Sequence, residues 1–404
     1  MKIRFSPSSL SGDVTIPPSK SVLHRAIICA SLAYGSSVVS NVNLSDDIEA
    51  TIGCMNALGA SIVKDGSRLI IDGIAGNPAS ESILDCAESG STLRFLIPIA
   101  AALGVRAEFC GRGKLPERPV QLDGLCGVHS NYSGTMPFSI SGRLIGGDFT
   151  IDGGVSSQFV TGLLLALPMV TGNSTITVKG ILQSRPYVDI TLDVMERFGV
   201  TADYYDGKYH INGGQRYRPC DYPAEGDYSQ AAFFAVANRI GSDINICGLD
   251  RNTKQGDKQI FDIIGGLDDS KGFELDASDI PDLVPILAVL GTYCRRGAVS
   301  RITGAARLRI KESDRLSAIA SALSALGGRV TVTEDGLVIY GVNSLVGGEC
   351  DSCGDHRIAM SVAIAALGCR GDVILTGAEA VNKSYPVFYE DYKKLGGIVC
   401  GTEE

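Results

Sequence analysis

The sequence predicts an α/β fold of two domains in which one helix-and-hairpin unit is repeated six times. A chain of 404 residues is long for a single domain, and its 49 glycines predict many tight turns. The third observation is a pattern that recurs along the whole chain. In its clearest copies, which begin at Met55, Met195 and Leu323, an apolar helix ends at a glycine and two strands follow around an Asp-Gly turn.

Weaker copies of the pattern begin near Gln121, Phe261 and Tyr389, so successive copies start 62 to 74 residues apart and six of them fill the chain. The sixth copy ends without its second strand, whereas residues 1–5 read as a strand with no partner nearby. We therefore expect the N-terminal segment to complete the sixth unit. This places residues 1–17 and 226–404 in one domain of three repeats and residues 18–225 in an inserted domain of three more.

Composition excludes several classes of protein. With 45% apolar and 20% charged residues the chain is typical of globular proteins, and its net charge of −9 argues against a general nucleic-acid or anionic-membrane surface. No apolar run reaches the 18 or so residues of a membrane span, and the opening lacks the apolar stretch of a signal peptide. A cytoplasmic protein is expected, with its 12 scattered cysteines as free thiols.

Three helix starts combine serines or cations with a following apolar helix. Helix N-termini expose free N–H groups and attract anions, so cations there indicate a bound anion. The three are IPPSKSVLHRA with Lys20, Ser21 and Arg25, ESGSTLRF with Gly90 and Arg94, and GGVSSQF with Ser156, Ser157 and Gln158. Arg118 lies in a proline-bounded loop, and Ser184 and Tyr187 precede a further helix. A capped surface helix with incidental charges would explain any one of these segments, but not all of them.

The C-terminal half carries ionisable groups at helix starts. Asp282 heads an apolar helix, and His356 with Arg357 begins another. RIKESDRL predicts that Lys311, Glu312, Asp314 and Arg315 open a helix together. Lys383 is expected in a loop. These groups are candidates for acid and base chemistry, although a solvated charged turn would account for RIKESDRL equally well.

Cofactor sites find little support. Cys350, Cys353 and His356 form C-x-x-C-x-x-H, but the second ligand pair of a zinc site is missing. Neither a G-x-x-x-x-G-K-[ST] loop nor a strand-linked G-x-G-x-x-G occurs, so a nucleotide-type phosphate loop is not predicted. We expect no metal site, and the family resemblance described next implies that no organic cofactor is needed.

The chain resembles the 5-enolpyruvylshikimate-3-phosphate synthase family in a colinear series of motifs that spans residues 1–399. They are PPSKS with HRA, ESGSTLR, LPERP, GGVSSQF, QSRPYVDITL, EGDYSQA, QGD, IPDL, RIKESDRL and GDHRIAM. The resemblance implies an α/β (α+β) fold of two inside-out barrel domains, each with three βαβαββ repeats around a pseudo-threefold axis, and an active site in the cleft between them. It implies transfer of the enolpyruvyl group of phosphoenolpyruvate to the 5-hydroxyl of shikimate 3-phosphate, with release of phosphate through a tetrahedral intermediate. The implied partners are these two substrates, without nucleic acid or membrane, and the implied state is a monomer.

The resemblance also implies roles for individual residues. Asp282 is the implied base and Glu312 the implied acid, with Lys20 and Lys383 as further catalytic groups. The implied contacts of shikimate 3-phosphate are Lys20, Ser21, Arg25, Ser156, Ser157, Gln158, Ser184, Tyr187, Asp282 and Lys311. The implied contacts of phosphoenolpyruvate are Lys20, Gly90, Arg94, Arg118, Gln158, Arg315, His356, Arg357 and Lys383.

Four positions depart from what the family often shows. Glu88 and Phe95 replace Asn and Pro beside the expected phosphoenolpyruvate pocket, and His24 and Arg307 stand where many or some members have Asn. None of these changes removes an implied catalytic group.

Two alternative functions remain open. The sister enolpyruvyl transferase acting on UDP-N-acetylglucosamine often has a loop cysteine five residues before the loop arginine, where this chain has Gly113. The second alternative is a non-catalytic binder of phosphorylated metabolites. The presence of both Asp282 and Glu312 argues against it.

Overall fold

Helices and strands alternate along the chain, in line with the predicted α/β class. The computed structural model describes residues 1–154 and 156–401; Val155 of the GGVSSQF motif and residues 402–404 lie outside the described residues. The chain divides into two units, one formed by Met1–Pro17 with Gly226–Glu404 and the other by Pro18–Glu225. We call them the terminal unit and the inserted unit.

The helices carry most of the buried surface. They are α1 (Lys20–Leu32), α2 (Asp46–Ala57), α3 (Gly90–Leu103), α4 (Ser157–Ala166), α5 (Arg185–Arg197), α6 (Tyr228–Arg239), α7 (Gln259–Gly265), α8 (Val284–Thr292), α9 (Arg315–Ala325), α10 (His356–Leu367) and α11 (Phe388–Lys394). Helices α1, α3, α4, α6, α8 and α10 are buried over nearly their whole length. A helix that is apolar on all sides must be enclosed by other elements. Most of the charged or hydrogen-bonding side chains of these helices therefore lie at their N-terminal ends.

The inserted unit contains three four-stranded sheets. Its strands are β3 (Ser36–Ser40), β4 (Ser61–Asp65), β5 (Arg68–Asp72), β6 (Glu81–Asp85), β7 (Arg106–Cys110), β8 (Val128–Ser130), β9 (Phe138–Gly142), β10 (Asp148–Asp152), β11 (Ser174–Lys179), β12 (Asp203–Tyr205), β13 (Lys208–Ile211) and β14 (Tyr222–Pro223). The strand orders are β14-β3-β5-β4, β6-β7-β9-β8 and β10-β11-β13-β12. In each sheet the first pair is parallel and the others are antiparallel.

The described residues of the terminal unit form two four-stranded sheets and one two-stranded sheet. Its strands are β1 (Lys2–Ser6), β2 (Ser11–Thr15), β15 (Asp243–Cys247), β16 (Glu274–Asp276), β17 (Val299–Thr303), β18 (Arg329–Val332), β19 (Leu337–Tyr340), β20 (Gly348–Asp351), β21 (Val373–Thr376) and β22 (Ile398–Gly401). The strand orders are β20-β21-β1-β22, β16-β17-β19-β18 and β15-β2. The N-terminal strand β1 lies between β21 and β22, with Ile3 opposite Leu375 on one side and Gly401 on the other.

Two weak copies of the repeat differ from the predicted pattern. After α7 the predicted hairpin is absent, and only a bridge between Asp268 and Gly272 closes the turn. The Asp268 carboxylate accepts hydrogen bonds from Ser270, and this polar turn offers no alternating apolar face on which strands could pack. In the copy near Gln121, residues 121–127 form turns instead of a helical end, and a 3-10 turn at Leu115–Glu117 precedes them. Pro116 and Pro119, followed by Gly124 and Gly127, do not support a longer helix.

Each unit has its own apolar core. In the inserted unit residues such as Ile27 of α1 and Leu96 of α3 are fully enclosed, and in the terminal unit Phe234 of α6 and Leu287 of α8 are. Burial of one such side chain stabilises the fold by about 1.5–3 kcal/mol. None of the helices in the described ranges combines the length and apolarity that a membrane span requires. The cores thus hold the helix starts, where the candidate site residues lie, in fixed positions.

Candidate active site

The first helix start holds Lys20 against a carboxylate of its own unit. Lys20 is the first residue of α1, as predicted. Its Nζ lies 2.7 Å from Oδ2 of Asp47 at the start of α2, and the two side chains are only 18% and 12% exposed. The ammonium group is therefore fixed beside the N-terminus of α1.

Arg25 is one turn further along α1 and is 2% exposed. Its Nε donates to Thr191 Oγ1 at 2.7 Å, and its two terminal nitrogens donate to the carbonyls of Ser21 at 2.6 Å and Tyr187 at 2.8 Å. The guanidinium also lies 5.0 Å from the centre of the Phe95 ring. Burial lowers the pKa of Arg25 to about 10, so it remains a cation at neutral pH and its orientation is fixed by these contacts.

Two arginines converge on the start of α3. Arg94 Nη1 donates to Gln158 Oε1 at 2.7 Å, and Gln158 Nε2 donates to Ser91 Oγ at 2.8 Å. A Cβ added to Gly90 would lie 2.8 Å from Arg94 Nη1 and 3.2 Å from Arg118 Nη1. Any larger residue at position 90 would displace these guanidinium groups. Gly90, Arg94, Arg118 and Gln158 thus surround a helix N-terminus, where free backbone N–H groups favour anions.

Serines occupy two further helix starts in the inserted unit. Ser156 Oγ accepts the backbone N–H of Gln158 at 3.2 Å and caps α4, and Ser157 is buried beside it. Ser184 precedes α5 with a φ of 58°, in the left-handed region that non-glycine residues rarely adopt. Tyr187 was expected before the helix but lies in the first turn of α5.

In the terminal unit one arginine contacts three carboxylates. Arg315, whose side chain is 3% exposed, donates to Asp282 Oδ1 at 2.9 Å, Glu312 Oε2 at 2.6 Å and Asp355 Oδ2 at 2.7 Å. Burial alone would lower the pKa of Arg315, but the three carboxylates raise it. The arginine thus joins the expected base, the expected acid and a third carboxylate in one cluster.

A second arginine contacts Asp282. Arg357 Nη2 lies 3.0 Å from Asp282 Oδ2 and 2.8 Å from Ser229 Oγ. Burial would raise the pKa of Asp282, but Arg357 and Arg315 hold that pKa well below its usual range. In this arrangement Asp282 is an ionised carboxylate and a weak base.

The remaining predicted residues of the terminal unit lie around this cluster. Burial lowers the pKa of Lys311 to about 8. His356 is buried at the start of α10, and its Nδ1 lies 3.9 Å from Asp355 Oδ1. Lys383 Nζ donates to the carbonyl of Gly354 at 3.3 Å.

Two local predictions for this unit were wrong in detail. Helix α9 begins at Arg315, so Lys311 and Glu312 precede the helix instead of opening it. The Asp314 carboxylate caps α9 by accepting the backbone N–H of Ser317, which is why the helix starts after it. Lys383 ends a 3-10 turn, Ala378–Lys383, instead of lying in a loop.

Sequence reasoning missed two carboxylates that contact predicted residues. Asp47 pairs with Lys20. Asp355 is fully buried, pairs with Arg315 and caps α10 through the backbone N–H of Arg357 at 2.9 Å. A cap signal was present in both cases, since each aspartate stands at or next to a helix start, but a cap alone does not indicate a role in binding.

In the part of the chain that the structure describes, no group of three or more His, Cys, Asp and Glu side chains is arranged to hold a metal ion.

Comparison with known proteins agrees with these observations. A sequence model of the EPSP synthase (3-phosphoshikimate 1-carboxyvinyltransferase) family matches residues 6–392. A 3-phosphoshikimate 1-carboxyvinyltransferase of Clostridium perfringens is 44% identical over 99% of both chains, and one of Clostridium kluyveri is 43% identical over 98% of both. The structure of an EPSP synthase from Acinetobacter baumannii covers all of both chains with a TM-score of 0.82 and 26% identity, which confirms the predicted fold class. The chain belongs to the EPSP synthase family of transferases.

Proposed function

We propose that this protein transfers the enolpyruvyl group of phosphoenolpyruvate to the 5-hydroxyl of shikimate 3-phosphate and releases phosphate, the activity of its family. The observation that carries the proposal is the cluster around Arg315, which contacts Asp282 and Glu312 at 2.9 and 2.6 Å. The reaction needs a base for the hydroxyl and an acid for the methylene carbon. A single buried arginine fixes both candidate groups.

The negative charges of the proposed substrates explain why an acidic chain has many cations among its candidate site residues. Two phosphates and one carboxylate bring about five negative charges into the site at neutral pH. Arginine forks suit phosphate and carboxylate groups, and lysine supplies a compact charge. The cations proposed to meet these groups are Lys20, Arg25, Arg94, Arg118, Lys311, Arg315, Arg357 and Lys383. The neutral donors proposed beside them are Ser21, Gly90, Ser156, Ser157, Gln158, Ser184, Tyr187 and His356.

The proposed chemistry moves one proton in each direction. Asp282 accepts the proton of the 5-hydroxyl group while the hydroxyl oxygen forms a bond to C2 of phosphoenolpyruvate. Glu312 or Lys383 gives a proton to C3. The tetrahedral intermediate then breaks its C–O bond to phosphate, which leaves with the proton held by Asp282. A proton of the new methyl group returns to Glu312 or Lys383, and its electron pair restores the C=C bond of the enolpyruvyl group. Protons and electrons balance over the cycle, so no cofactor is required.

Substrate binding would strengthen the weak base. In the structure Arg315 and Arg357 lower the pKa of Asp282. An anionic substrate that binds these two arginines offsets their charge, and this raises the pKa of neighbouring carboxylates. Asp282 would therefore become a stronger base when phosphoenolpyruvate is bound.

Phosphate release tests the proposal. Phosphate should appear only when the protein is mixed with both phosphoenolpyruvate and shikimate 3-phosphate, and mass spectrometry should show one enolpyruvyl group added to the acceptor. Release with UDP-N-acetylglucosamine as acceptor would favour the sister transferase. Binding of both substrates by calorimetry without any phosphate release would favour the non-catalytic binder. The cytoplasmic location and monomeric state expected from the sequence stay predictions.

A further inference from the structure

A network of largely buried polar side chains contacts Lys20 and the start of α3, which carries Gly90. Its first member is Asp47, the second residue of α2, whose carboxylate lies 2.7 Å from Lys20 Nζ and is 12% exposed. Ion pairs at the surface are weak because water screens them. This pair is largely shielded, so loss of its carboxylate would leave the ammonium with a weaker restraint.

The second member of the network is Thr51, one turn after Asp47 on the same face of α2. Thr51 is fully buried. Its Oγ1 lies 2.7 Å from Nδ1 of His24 on α1 and 2.7 Å from Oγ1 of Thr92 on α3. Thr92 Oγ1 donates in turn to Ser89 Oγ at 2.8 Å, which also caps α3. One hydroxyl on α2 is thus bonded to α1 and to α3, which carry the proposed ligands Lys20 and Gly90.

His24 acts in this network as a neutral group. Burial, and then the charges of Lys20 and Arg25, lower the pKa of His24 well below its usual value. Its ring meets Phe95 edge to face, with 6.4 Å between ring centres, and the Arg25 guanidinium lies 5.0 Å from the same Phe95 ring. Two of the four positions at which this chain departs from the residues its family often has, His24 and Phe95, therefore pack against each other.

We propose that Asp47 and Thr51 are positioning residues for the transfer reaction. Asp47 holds the Lys20 ammonium, and Thr51 holds the starts of α1 and α3 at a fixed separation, so that Lys20 and Gly90 meet phosphoenolpyruvate in one geometry. This inference rests on the proposed function, because its consequence is measured on the substrates proposed there. A purely structural role would instead affect stability alone, since buried polar groups need partners in any protein.

The first test is Asp47→Asn, which removes the charge and keeps the shape. We expect kcat/KM for phosphoenolpyruvate to fall about tenfold or more, the effect of weakening one charged contact, with little change in melting temperature. Asp47→Glu should recover part of the loss. The matched control is Asp65→Asn, since Asp65 forms an exposed 2.7 Å pair with Arg68 in the same unit; its kinetics should equal those of the wild type.

The second test is Thr51→Val, which removes one buried hydroxyl. Its control is Thr292→Val, because Thr292 is equally buried but donates only to the carbonyl of Ala288 in its own helix. Both variants should lose stability, whereas only Thr51→Val should raise KM for phosphoenolpyruvate and lower kcat.

Three outcomes would decide the matter. Wild-type kinetics in Asp47→Asn and Thr51→Val, alongside a large loss in Lys20→Ala, would overturn the inference and leave the proposed function intact. Activity losses that merely follow melting temperature across all variants, controls included, would also overturn it. If the wild type released no phosphate, the proposed function would fail; calorimetric titration with phosphoenolpyruvate would then still test the inference, which requires weaker binding to Asp47→Asn than to Asp65→Asn.

Discussion

Replacing Gly90 with alanine tests whether the start of α3 binds phosphoenolpyruvate. The added Cβ would lie 2.8 Å from Arg94 Nη1, whereas ordinary contacts begin at 3.4 Å, so the guanidinium has to move by about 0.6 Å. That movement strains its 2.7 Å hydrogen bond to Gln158. It also displaces a cation from the position in which we propose that the substrate binds.

The expected effect follows from the free energy that one charged hydrogen bond contributes. Such a bond contributes about 1.5–3 kcal/mol, and each 1.4 kcal/mol is roughly tenfold in rate or affinity. We therefore expect kcat/KM for phosphoenolpyruvate to fall about 10- to 100-fold in Gly90→Ala. KM for shikimate 3-phosphate should change less, because the two guanidinium groups nearest the new Cβ, those of Arg94 and Arg118, are implied contacts of phosphoenolpyruvate alone, and Gln158, implied for both substrates, lies at an ordinary 3.7 Å. Steady-state phosphate release, with each substrate varied in turn, measures both values.

Gly53→Ala is the matched control. Gly53 lies inside α2, and a Cβ there would meet no atom within 4 Å. Alanine in a helix interior is favoured over glycine by about 0.5–1 kcal/mol, so this variant should melt slightly higher with unchanged kinetics. If Gly90→Ala showed the same unchanged kinetics, the start of α3 would not be part of the substrate site.

Four further predictions address other groups. Lys20→Ala should cost about 2 kcal/mol or more of transition-state stabilisation. Turnover near that of the wild type would show that the start of α1 is a capped helix with no role in substrate binding. Glu312→Gln should lower kcat by about 10²-fold or more, as expected for a general acid, while calorimetry still shows binding of shikimate 3-phosphate. Because burial lowers the pKa of Lys311 to about 8, its ammonium is lost as pH rises through that value, so KM for shikimate 3-phosphate should rise above pH 8; a flat profile would contradict its role. Cys350→Ser with Cys353→Ser should leave activity and stability nearly unchanged, and stoichiometric zinc lost with these substitutions would show that the sulfurs are ligands.

The predictable parts of the site were those encoded locally. Lys20, Gly90 and His356 were placed at helix starts because a proline, serine or aspartate cap next to an apolar run is visible within about ten residues of sequence. The same reasoning failed at Lys311, since the Asp314 cap that restarts the helix looks like one more charge in a charged segment. It also failed near Phe261, where the sequence matches the repeat only weakly. The predicted hairpin has no apolar face on which its strands could pack.

The contacts between helix starts could not be predicted. Asp47 is 27 residues from Lys20, and Asp355 is 40 residues from Arg315. Such pairs form only when helix packing, within one repeat or between two, brings two N-termini together. A helical cap gives no sign of which neighbour it will meet. The sequence therefore indicated candidate ligands one at a time. The side chains that pair with them could be identified only in the folded structure.

The carboxylates around Arg315 explain how an acidic chain can keep cations ready for anionic substrates. Burying an unpaired guanidinium costs desolvation free energy, and the Arg315 side chain is only 3% exposed. Its ion pairs with Asp282, Glu312 and Asp355 offset this cost before any substrate binds. Because Asp355 is fully enclosed while Asp282 and Glu312 are 22% and 14% exposed, we expect the first to stay on Arg315 and the other two to exchange partly with a substrate anion. Each contact that Asp282 exchanges in this way raises its pKa and so strengthens it as the proposed base. On this reasoning, binding of phosphoenolpyruvate and activation of the proposed base are one electrostatic event.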